Sequence, residues 1–169
     1  MKAYYLLFLS LFSFCLIQGQ SGQWKIGDTL SYSEIIGMKG ERYDLTPYEG
    51  KVLVLNFWFI GCKGCEAERP YLNEVYQTYL EEDIQFLSIT YHTDGELNKF
   101  LPEHPIDWEI WNRIDFMGVA GESQFNIRCY PTTLIIDRNR LLRYQRCGSI
   151  LNGKSGDDFR DILTTVLKE

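Results

Sequence analysis

The feature that most limits how this chain can fold is a nearly unbroken apolar run from Val52 to Trp58. Such a run is typical of a strand that is buried on both faces, and it predicts a central strand in a covered sheet. Residues 66–79 then place apolar side chains at helical spacing, and residues 84–89 predict a second strand. A strand, a helix and a strand in this order favour a right-handed crossover between parallel strands. The sequence therefore predicts an α/β fold.

Two hairpins are predicted on either side of this unit. Residues 33–36 and 42–45 favour a small N-terminal hairpin. Residues 132–136 and 141–145 read as strands joined by a connection short enough for a second hairpin. The sheet is therefore expected to be mixed, with an antiparallel edge.

Further helices are predicted to flank the sheet. Short helices are expected over residues 95–101 and 116–125, the first of them ended by Pro102. A C-terminal helix is indicated by four apolar residues at helical spacing, with Ser155 as the candidate N-cap. This last helix is expected to cover one face of the sheet.

The composition is that of one globular domain and argues against a nucleic-acid partner. The chain has 169 residues, of which 45% are hydrophobic and 24% charged, and its formal net charge is -6. That charge leaves no basic surface to attract phosphates. Aromatic residues make up 15% of the chain, so the core needs few disulfides for stability, and the five cysteines must be interpreted for their chemistry.

The N-terminus has the layout of a secretory signal peptide. Lys2 precedes an apolar stretch of about fifteen residues, which is shorter than the roughly 20 needed to cross a bilayer as a helix. We predict a signal peptide over residues 1–19 and one domain over residues 20–169. Two alternatives stay open, a lipid on Cys15 and an uncleaved segment that tethers the protein to a membrane. Export leads to an oxidising compartment, where thiols pair or do redox work.

The strongest chemical signal is the pair Cys62 and Cys65, separated by Lys63 and Gly64, where the strand gives way to the helix. First-turn N–H groups lack partners within the helix, and the helix end carries about half a positive charge. These features stabilise a thiolate, and the pKa of a cysteine in this setting falls from about 8.5 to roughly 3.5 to 7.5. Lys63 adds a positive charge. Because only the thiolate attacks a disulfide, we predict Cys62 as the exposed nucleophile and Cys65 as the buried resolving thiol.

Two structural interpretations of the cysteine pair are less favoured. A structural zinc site normally has four ligands, and the sequence contains no second pair of this kind. A purely structural disulfide between residues three apart closes a very small loop and constrains little of the unfolded chain. Redox chemistry is therefore the preferred interpretation.

A second signal is Tyr130–Pro131, just before a predicted strand. Proline lacks the N–H that a central strand needs, so Pro131 must begin the strand or occupy a special bend. A cis peptide bond at this position would leave the backbone of Tyr130 free to pair with an extended substrate. An ordinary trans proline at the start of a strand is the alternative.

Taken together, these residues resemble the thioredoxin superfamily, and within it the ResA/TlpA-like branch of exported thiol–disulfide oxidoreductases. The resemblance runs from about Ile26 to the C-terminus. It implies a thioredoxin-like fold whose central mixed sheet is flanked by helices, with an N-terminal hairpin extension and a segment inserted between the central strand and the cis-proline. The positions that match the family pattern are the redox pair Cys62 and Cys65, Pro70 within the helix, the cis-proline Pro131 and Gly148 facing the site.

The resemblance also assigns roles to residues around the cysteines. Glu68 matches an acid that some members keep close to the buried cysteine, where a carboxylate with a raised pKa exchanges protons with Cys65. A solvated helix glutamate is the alternative. Asn56 stands where cytosolic thioredoxins have a buried acid, which leaves proton transfer to Glu68. Trp58, Tyr130 and Pro131 are the predicted substrate-binding residues.

The chain departs from the family pattern in the loop around the cysteines. Gly61 stands where tryptophan is usual, and Gly64 stands where proline is common. Both changes loosen the loop, because glycine has more backbone freedom to lose. No reduction potential is assigned to the Lys63–Gly64 pair.

Other residues leave alternatives open. Cys129 and Cys147 either form a second disulfide or stay as two thiols, because a shift of one residue in register points them to opposite faces. Trp108 and Trp111, with Ile106 and Ile110, favour a small core beneath the inserted segment over a substrate groove. His92 and His104 suggest copper, but copper-chaperone relatives of this fold place more residues between their cysteines, so no metal site is predicted.

The resemblance implies thiol–disulfide exchange with exported protein disulfides or thiols, in the periplasm of a bacterial envelope. No dissociable cofactor is expected, the protein is expected to be a monomer, and a membrane electron donor or acceptor is implied. A reducing role, in cytochrome c maturation or envelope thiol repair, is common in the family. The alternatives are a peroxiredoxin-like peroxide reductase, which would need a threonine a few residues before Cys62 that residues 58–61 do not supply, and a binding module that has lost catalysis.

Overall fold

The computed structural model describes residues 24–31, 33–116, 125 and 127–169. The predicted signal peptide over residues 1–19, with Cys15, lies outside the described residues. The helix predicted over residues 116–125 also falls almost wholly outside them. Within the part of the chain that the structure describes, no helix has the length and hydrophobicity to cross a membrane.

The elements alternate along the chain as the apolar pattern predicts. In chain order they are β1 (Glu34–Ile36), β2 (Arg42–Asp44), β3 (Val52–Phe57), α1 (Lys63–Thr78), β4 (Ile84–Ile89), α2 (Asp94–Phe100), β5 (Glu109–Trp111), β6 (Thr132–Ile136), β7 (Leu142–Cys147) and α3 (Lys154–Lys168). The sequence pattern anticipated all of these except β5, which has only three residues and therefore shows no clear period.

The main sheet is mixed and has β3 at its centre. Its strand order is β5-β4-β3-β6-β7, and β1 pairs with β2 in a separate antiparallel hairpin. β3 runs parallel to β4 through the crossover helix α1, and antiparallel to β6. β6 and β7 form the predicted antiparallel edge. The predicted mixed α/β architecture is therefore confirmed.

Burial on both faces explains why β3 is apolar at almost every position. Leu53, Leu55 and Phe57 pack into the core on one face of the sheet, whereas Val52 and Val54 pack on the other face. Alternate side chains of a strand point to opposite faces, so each face receives its own core. α1 and α3 cover the face that Val52 and Val54 share, through Leu72, Val75, Phe159, Leu163 and Val166.

Two sequence expectations need correction. The N-cap of α3 is Gly153, not Ser155, whose hydroxyl instead exchanges hydrogen bonds with the main chain of Leu151. Trp108 and Trp111 do not form one local core, because they pack into the cores on opposite faces of the sheet. Their separation follows from β5, in which successive side chains alternate between faces.

Candidate active site

The two cysteines at the start of α1 form a disulfide. Cys62 and Cys65 are joined with their Cα atoms 5.3 Å apart. Cys62 is the N-cap of α1, and its sulfur accepts a hydrogen bond from the Cys65 N–H at 3.2 Å. Cys62 is 8% exposed and Cys65 is 3% exposed. The predicted order of exposure therefore holds, although Cys62 is more enclosed than its expected place at an exposed edge.

The position of Cys62 suits it to carry negative charge after reduction. Its sulfur faces the unpaired N–H groups and the positive end of the α1 dipole. Lys63 is the first residue of α1, and its exposed side chain adds a cation nearby. Gly61 precedes Cys62 with φ +88°, a conformation that residues with a Cβ rarely adopt. The loop therefore relies on glycine to bring Cys62 over the helix end.

Three segments of chain meet beside the disulfide. The Tyr130–Pro131 peptide bond is cis, as the resemblance implied. The Gly148 N–H donates to the carbonyl of Pro131 at 2.8 Å, and the Ser149 hydroxyl donates to the carbonyl of Gly64 at 2.9 Å. A Cβ at Gly64 would lie 2.8 Å from Ser149 Oγ and 3.2 Å from Pro131 Cδ. Gly64 thus permits α1 to approach the other two segments closely.

Glu68 lies behind the disulfide and is almost completely buried, at 1% exposure. Its Oε1 accepts a hydrogen bond from the Asn56 side-chain amide at 2.9 Å, and its Oε2 accepts one from the Ile150 N–H at 2.8 Å. Cys65 and Glu68 line the same small cavity. Glu68 is therefore not a solvated helix glutamate.

Burial raises the pKa of Glu68 to about 7, even though the hydrogen bonds from Ile150 and Asn56 act to lower it. Desolvation disfavours the charged carboxylate, and these two neutral donors offset only part of that cost. A carboxyl group that titrates near neutral pH can both take up and release a proton there. This property fits the proton exchange predicted for Glu68.

Trp58 is 1% exposed and packs with both cysteines and Leu97. The Arg69 guanidinium lies 5.6 Å from its ring centroid, and Phe100 stacks against it at 5.8 Å. This burial argues against the predicted contact between Trp58 and substrate. Tyr130, by contrast, is partly exposed, and its main chain makes no hydrogen bond to the other described residues.

The two histidines occupy separate positions and do not suggest copper. His92 is buried, and its Nε2 accepts a hydrogen bond from the Ile60 N–H at 2.9 Å, so that lone pair is engaged. His104 stacks on Phe100, with ring centroids 4.4 Å apart. Among the residues that the structure describes, no group of three or more His, Cys, Asp or Glu side chains is placed to hold a metal ion.

The other two cysteines are also bonded to each other. Cys129 and Cys147 form a disulfide with their Cα atoms 5.6 Å apart. Cys147 ends β7 opposite Thr132, and Cys129 precedes Tyr130 and Pro131. This second disulfide therefore ties the edge strand to the segment that carries the cis-proline, and it resolves the alternative that the sequence left open.

Comparison with known proteins places the chain in a family. The model of the AhpC/TSA family matches residues 26–145. The chain belongs to the AhpC/TSA family. A thiol-disulfide oxidoreductase ResA of Bacillus thuringiensis subsp. konkukian is 26% identical over 92% of this chain and 86% of its own length. A ResA of Geobacillus kaustophilus is 33% identical over 68% of this chain and 64% of its own length.

Solved structures support the fold assignment. The thioredoxin domain of a thiol-disulfide oxidoreductase from Bacteroides vulgatus superposes with a TM-score of 0.66, over 85% of this chain and 99% of that domain. Its sequence identity is 20%, so this similarity shows the fold. The predicted thioredoxin-like fold and the resemblance to ResA-like thiol–disulfide oxidoreductases are thus confirmed.

The structure adds residues to this AhpC/TSA-family site that sequence reasoning missed. Ile150 and Ser149 reach the site through hydrogen bonds to Glu68 and Gly64. His92 reaches it through Ile60. Each of these contacts joins residues at least 32 positions apart in the chain, so no local motif signals them.

Proposed function

We propose that this protein is a thiol–disulfide oxidoreductase that acts on exported proteins through the Cys62–Cys65 pair, in the reducing direction. The observation that carries the proposal is a disulfide at the N-terminus of α1 whose more exposed sulfur is the N-cap. The names of the ResA relatives and their similarity over most of this chain support the same activity.

The reaction proceeds by two exchanges of sulfur bonds. The Cys62 thiolate attacks a substrate disulfide, forms a mixed disulfide and releases one substrate thiolate. Cys65 loses its proton and attacks the Cys62 sulfur, which closes the internal disulfide and releases the second substrate thiolate. The substrate gains two electrons and the protein loses them. A membrane electron donor then returns the pair to the dithiol.

Glu68 and the Tyr130 segment serve these two exchanges. Glu68 takes the proton of Cys65, because both line one cavity and burial holds the Glu68 pKa at about 7. The main chain of Tyr130 makes no hydrogen bond to the described residues and is available to pair with an extended substrate segment beside the disulfide. Trp58 supports the two cysteines by packing against them.

Insulin reduction tests the activity directly. We expect Cys62→Ser to abolish it and Cys65→Ser to accumulate a mixed disulfide that mass spectrometry detects. The double substitution Cys129→Ser and Cys147→Ser is the matched control and should retain activity. Peroxide turnover without insulin reduction would favour the peroxide-reductase alternative instead.

Equilibration of the Cys62–Cys65 pair with dithiothreitol and glutathione then gives its reduction potential and the direction of electron flow.

The proton role of Glu68 has its own test. In the wild type, the rate at which Cys65 resolves the mixed disulfide should rise through about pH 7, where the Glu68 carboxyl ionises. Glu68→Gln should remove that step, because an amide cannot accept the thiol proton. Rapid-mixing measurements of mixed-disulfide decay from pH 5 to 9 give both profiles. An identical profile in the variant would exclude Glu68 from proton transfer.

We further propose that residues 1–19 direct export and are then removed, which places the domain in the periplasm. N-terminal sequencing of the exported protein tests this proposal. A sequence that starts at Gln20 is expected. A start at Met1 would indicate an uncleaved, membrane-tethered form instead.

A further inference from the structure

His92 lies behind the turn that connects β3 to Cys62, and nothing in the reaction described so far uses it. Its side chain is buried, with 7% of the residue exposed. Nε2 accepts a hydrogen bond from the Ile60 N–H at 2.9 Å. The imidazole is therefore neutral, with its proton on Nδ1, which lies 3.4 Å from Oε1 of Glu96 at the start of α2.

The main chain of His92 is held by a hydrogen bond, and its ring is held by aromatic neighbours. The carbonyl of His92 accepts a hydrogen bond from the Arg113 N–H at 3.1 Å. Its ring packs against Tyr91, with centroids 4.4 Å apart, and against Trp58 at 6.4 Å. Oε2 of Glu96 accepts hydrogen bonds from the main chain and hydroxyl of Thr93, and Oε1 lies near Nδ1 of His92, which makes no hydrogen bond to the described residues. The position of the acceptor atom Nε2 therefore depends on the main chain of His92 and on the packing of its ring.

The turn that it contacts has few other directional ties. Within the turn, the Cys62 N–H donates to the Phe59 carbonyl at 3.3 Å. The side chain of Phe59 packs edge-on against Tyr130 and stacks against Tyr91, and these contacts involve no hydrogen bond. Gly61 has no side chain to anchor the turn. Among the described residues, the bond from Ile60 to His92 is the hydrogen bond that ties the backbone of residues 59–61 to another segment, the one between β4 and α2, two residues before the redox sulfur.

We propose that His92 is a positioning residue for the redox reaction: it holds the 59–62 turn so that the Cys62 sulfur stays over the N-terminus of α1 when the disulfide is open. In the disulfide, the covalent bond to Cys65 already fixes this sulfur. In the dithiol that bond is absent, and the position of the sulfur depends on the turn together with the hydrogen bonds that join Cys62 to the first turn of α1. Loss of the bond to Ile60 should therefore destabilise the reduced protein more than the oxidised one.

Two substitutions separate the hydrogen bond from the packing of the ring. The amide of glutamine can place an oxygen near the position of Nε2, whereas the shorter asparagine places its amide near Nδ1. His92→Asn should lower the equilibrium constant for reduction of Cys62–Cys65 by dithiothreitol by up to about fivefold, the limit reached when the whole contribution of one ordinary hydrogen bond is confined to the reduced protein. It should also raise the measured pKa of the Cys62 thiol. His92→Gln should restore both quantities towards the wild type, and His104→Asn, on the partly exposed side chain stacked against Phe100, should change neither.

A purely structural role predicts different results. The inference is wrong if His92→Asn lowers the melting temperature but leaves the equilibrium constant and the Cys62 thiol pKa unchanged. It is also wrong if His92→Gln changes these two quantities as much as His92→Asn does. A second measurement needs no variant: in the reduced wild type, NMR should detect coupling across the hydrogen bond between the Ile60 amide and His92 Nε2. Its absence from the reduced protein would also overturn the inference.

This inference rests on the proposed redox role of Cys62 and Cys65, and the same experiment keeps the two claims apart. The wild-type pair should titrate as one two-electron couple. A wild type that does not titrate contradicts the proposed function and the role of His92 with it. If the pair titrates in the wild type and His92→Asn has the same equilibrium constant for its reduction, only the role of His92 is contradicted.

Discussion

At the scale of single residues, Glu68 shows how burial changes the chemistry of an ordinary side chain. A glutamate on an exposed helix face titrates near pH 4.5, whereas burial between α1, Asn56 and the main chain of Ile150 raises this pKa to about 7. The residue is identical in both settings. What differs is access to water, which is why the sequence alone left a solvated glutamate as an equal alternative.

The same shift predicts how stability depends on pH. Because the folded pKa is raised, the native state binds the Glu68 proton more tightly than the unfolded chain does. The stability from this proton is complete below about pH 4.5 and is lost as the pH rises to about 7. At about 1.4 kcal/mol per pKa unit, the loss is about 3 kcal/mol.

Glu68→Gln should abolish this loss, because glutamine does not ionise. Urea unfolding of the oxidised proteins between pH 4 and 8 measures it: the free energy of unfolding of the wild type should fall by about 3 kcal/mol relative to the variant. Glu66→Gln, which alters a partly exposed carboxylate on the same helix, is the control. Parallel curves for wild type and Glu68→Gln would contradict the raised pKa.

At the scale of elements, β3 connects the core to the site. Its six residues are all buried, its neighbours on both sides are strands, and its C-terminal end leads within five positions to Cys62. A strand held on every side cannot shift without disturbing two cores. The redox loop therefore begins from a firmly held part of the molecule, although the loop itself contains Gly61.

Truncation of β3 should be costly for this reason. Leu55→Ala removes a fully buried side chain from the centre of the sheet and should lower the free energy of unfolding by about 2 to 5 kcal/mol. Leu80→Ala changes a leucine that is 50% exposed, and it should cost about 0.5 kcal/mol or less. Chemical denaturation of the two variants makes the comparison. Similar losses in both would show that β3 is not the rigid centre inferred from its burial.

At the scale of the whole molecule, the second disulfide joins two parts of the chain that also meet at the site. Cys129 precedes the cis-proline segment, and Cys147 leads directly to Gly148 and Ser149, which contact Pro131 and Gly64. Cys147 is exposed, and both cysteines lie outside the cores that pack against β3. The bond therefore acts on the outer side of the site, where it restrains the segment that carries the cis-proline.

Removal of this disulfide should destabilise the fold without removing the redox pair. The bond spans 18 positions. A cross-link that closes a loop of that length stabilises the folded state by about 3 kcal/mol, because it restricts the unfolded chain. We expect the double substitution Cys129→Ala and Cys147→Ala to lower the free energy of unfolding by about this amount. Thiol counting in the denatured, unreduced wild type is the complementary measurement. None of the four cysteines of the two disulfides should react with the thiol reagent. Two reactive thiols besides the active-site pair would contradict the second disulfide.

Local patterns along the chain specify its secondary-structure elements and the place of the redox pair. The apolar run of β3, the helical spacing of α1 and the two cysteines between them are local patterns, so the mixed sheet and the position of Cys62 at a helix N-terminus follow from them. Only the tertiary structure decided the burial of Trp58 and Glu68, the Cys129–Cys147 bond and the contact between His92 and Ile60. Each of these depends on which distant segments meet and in which register, and a shift of one residue would have turned the same side chains to the opposite face.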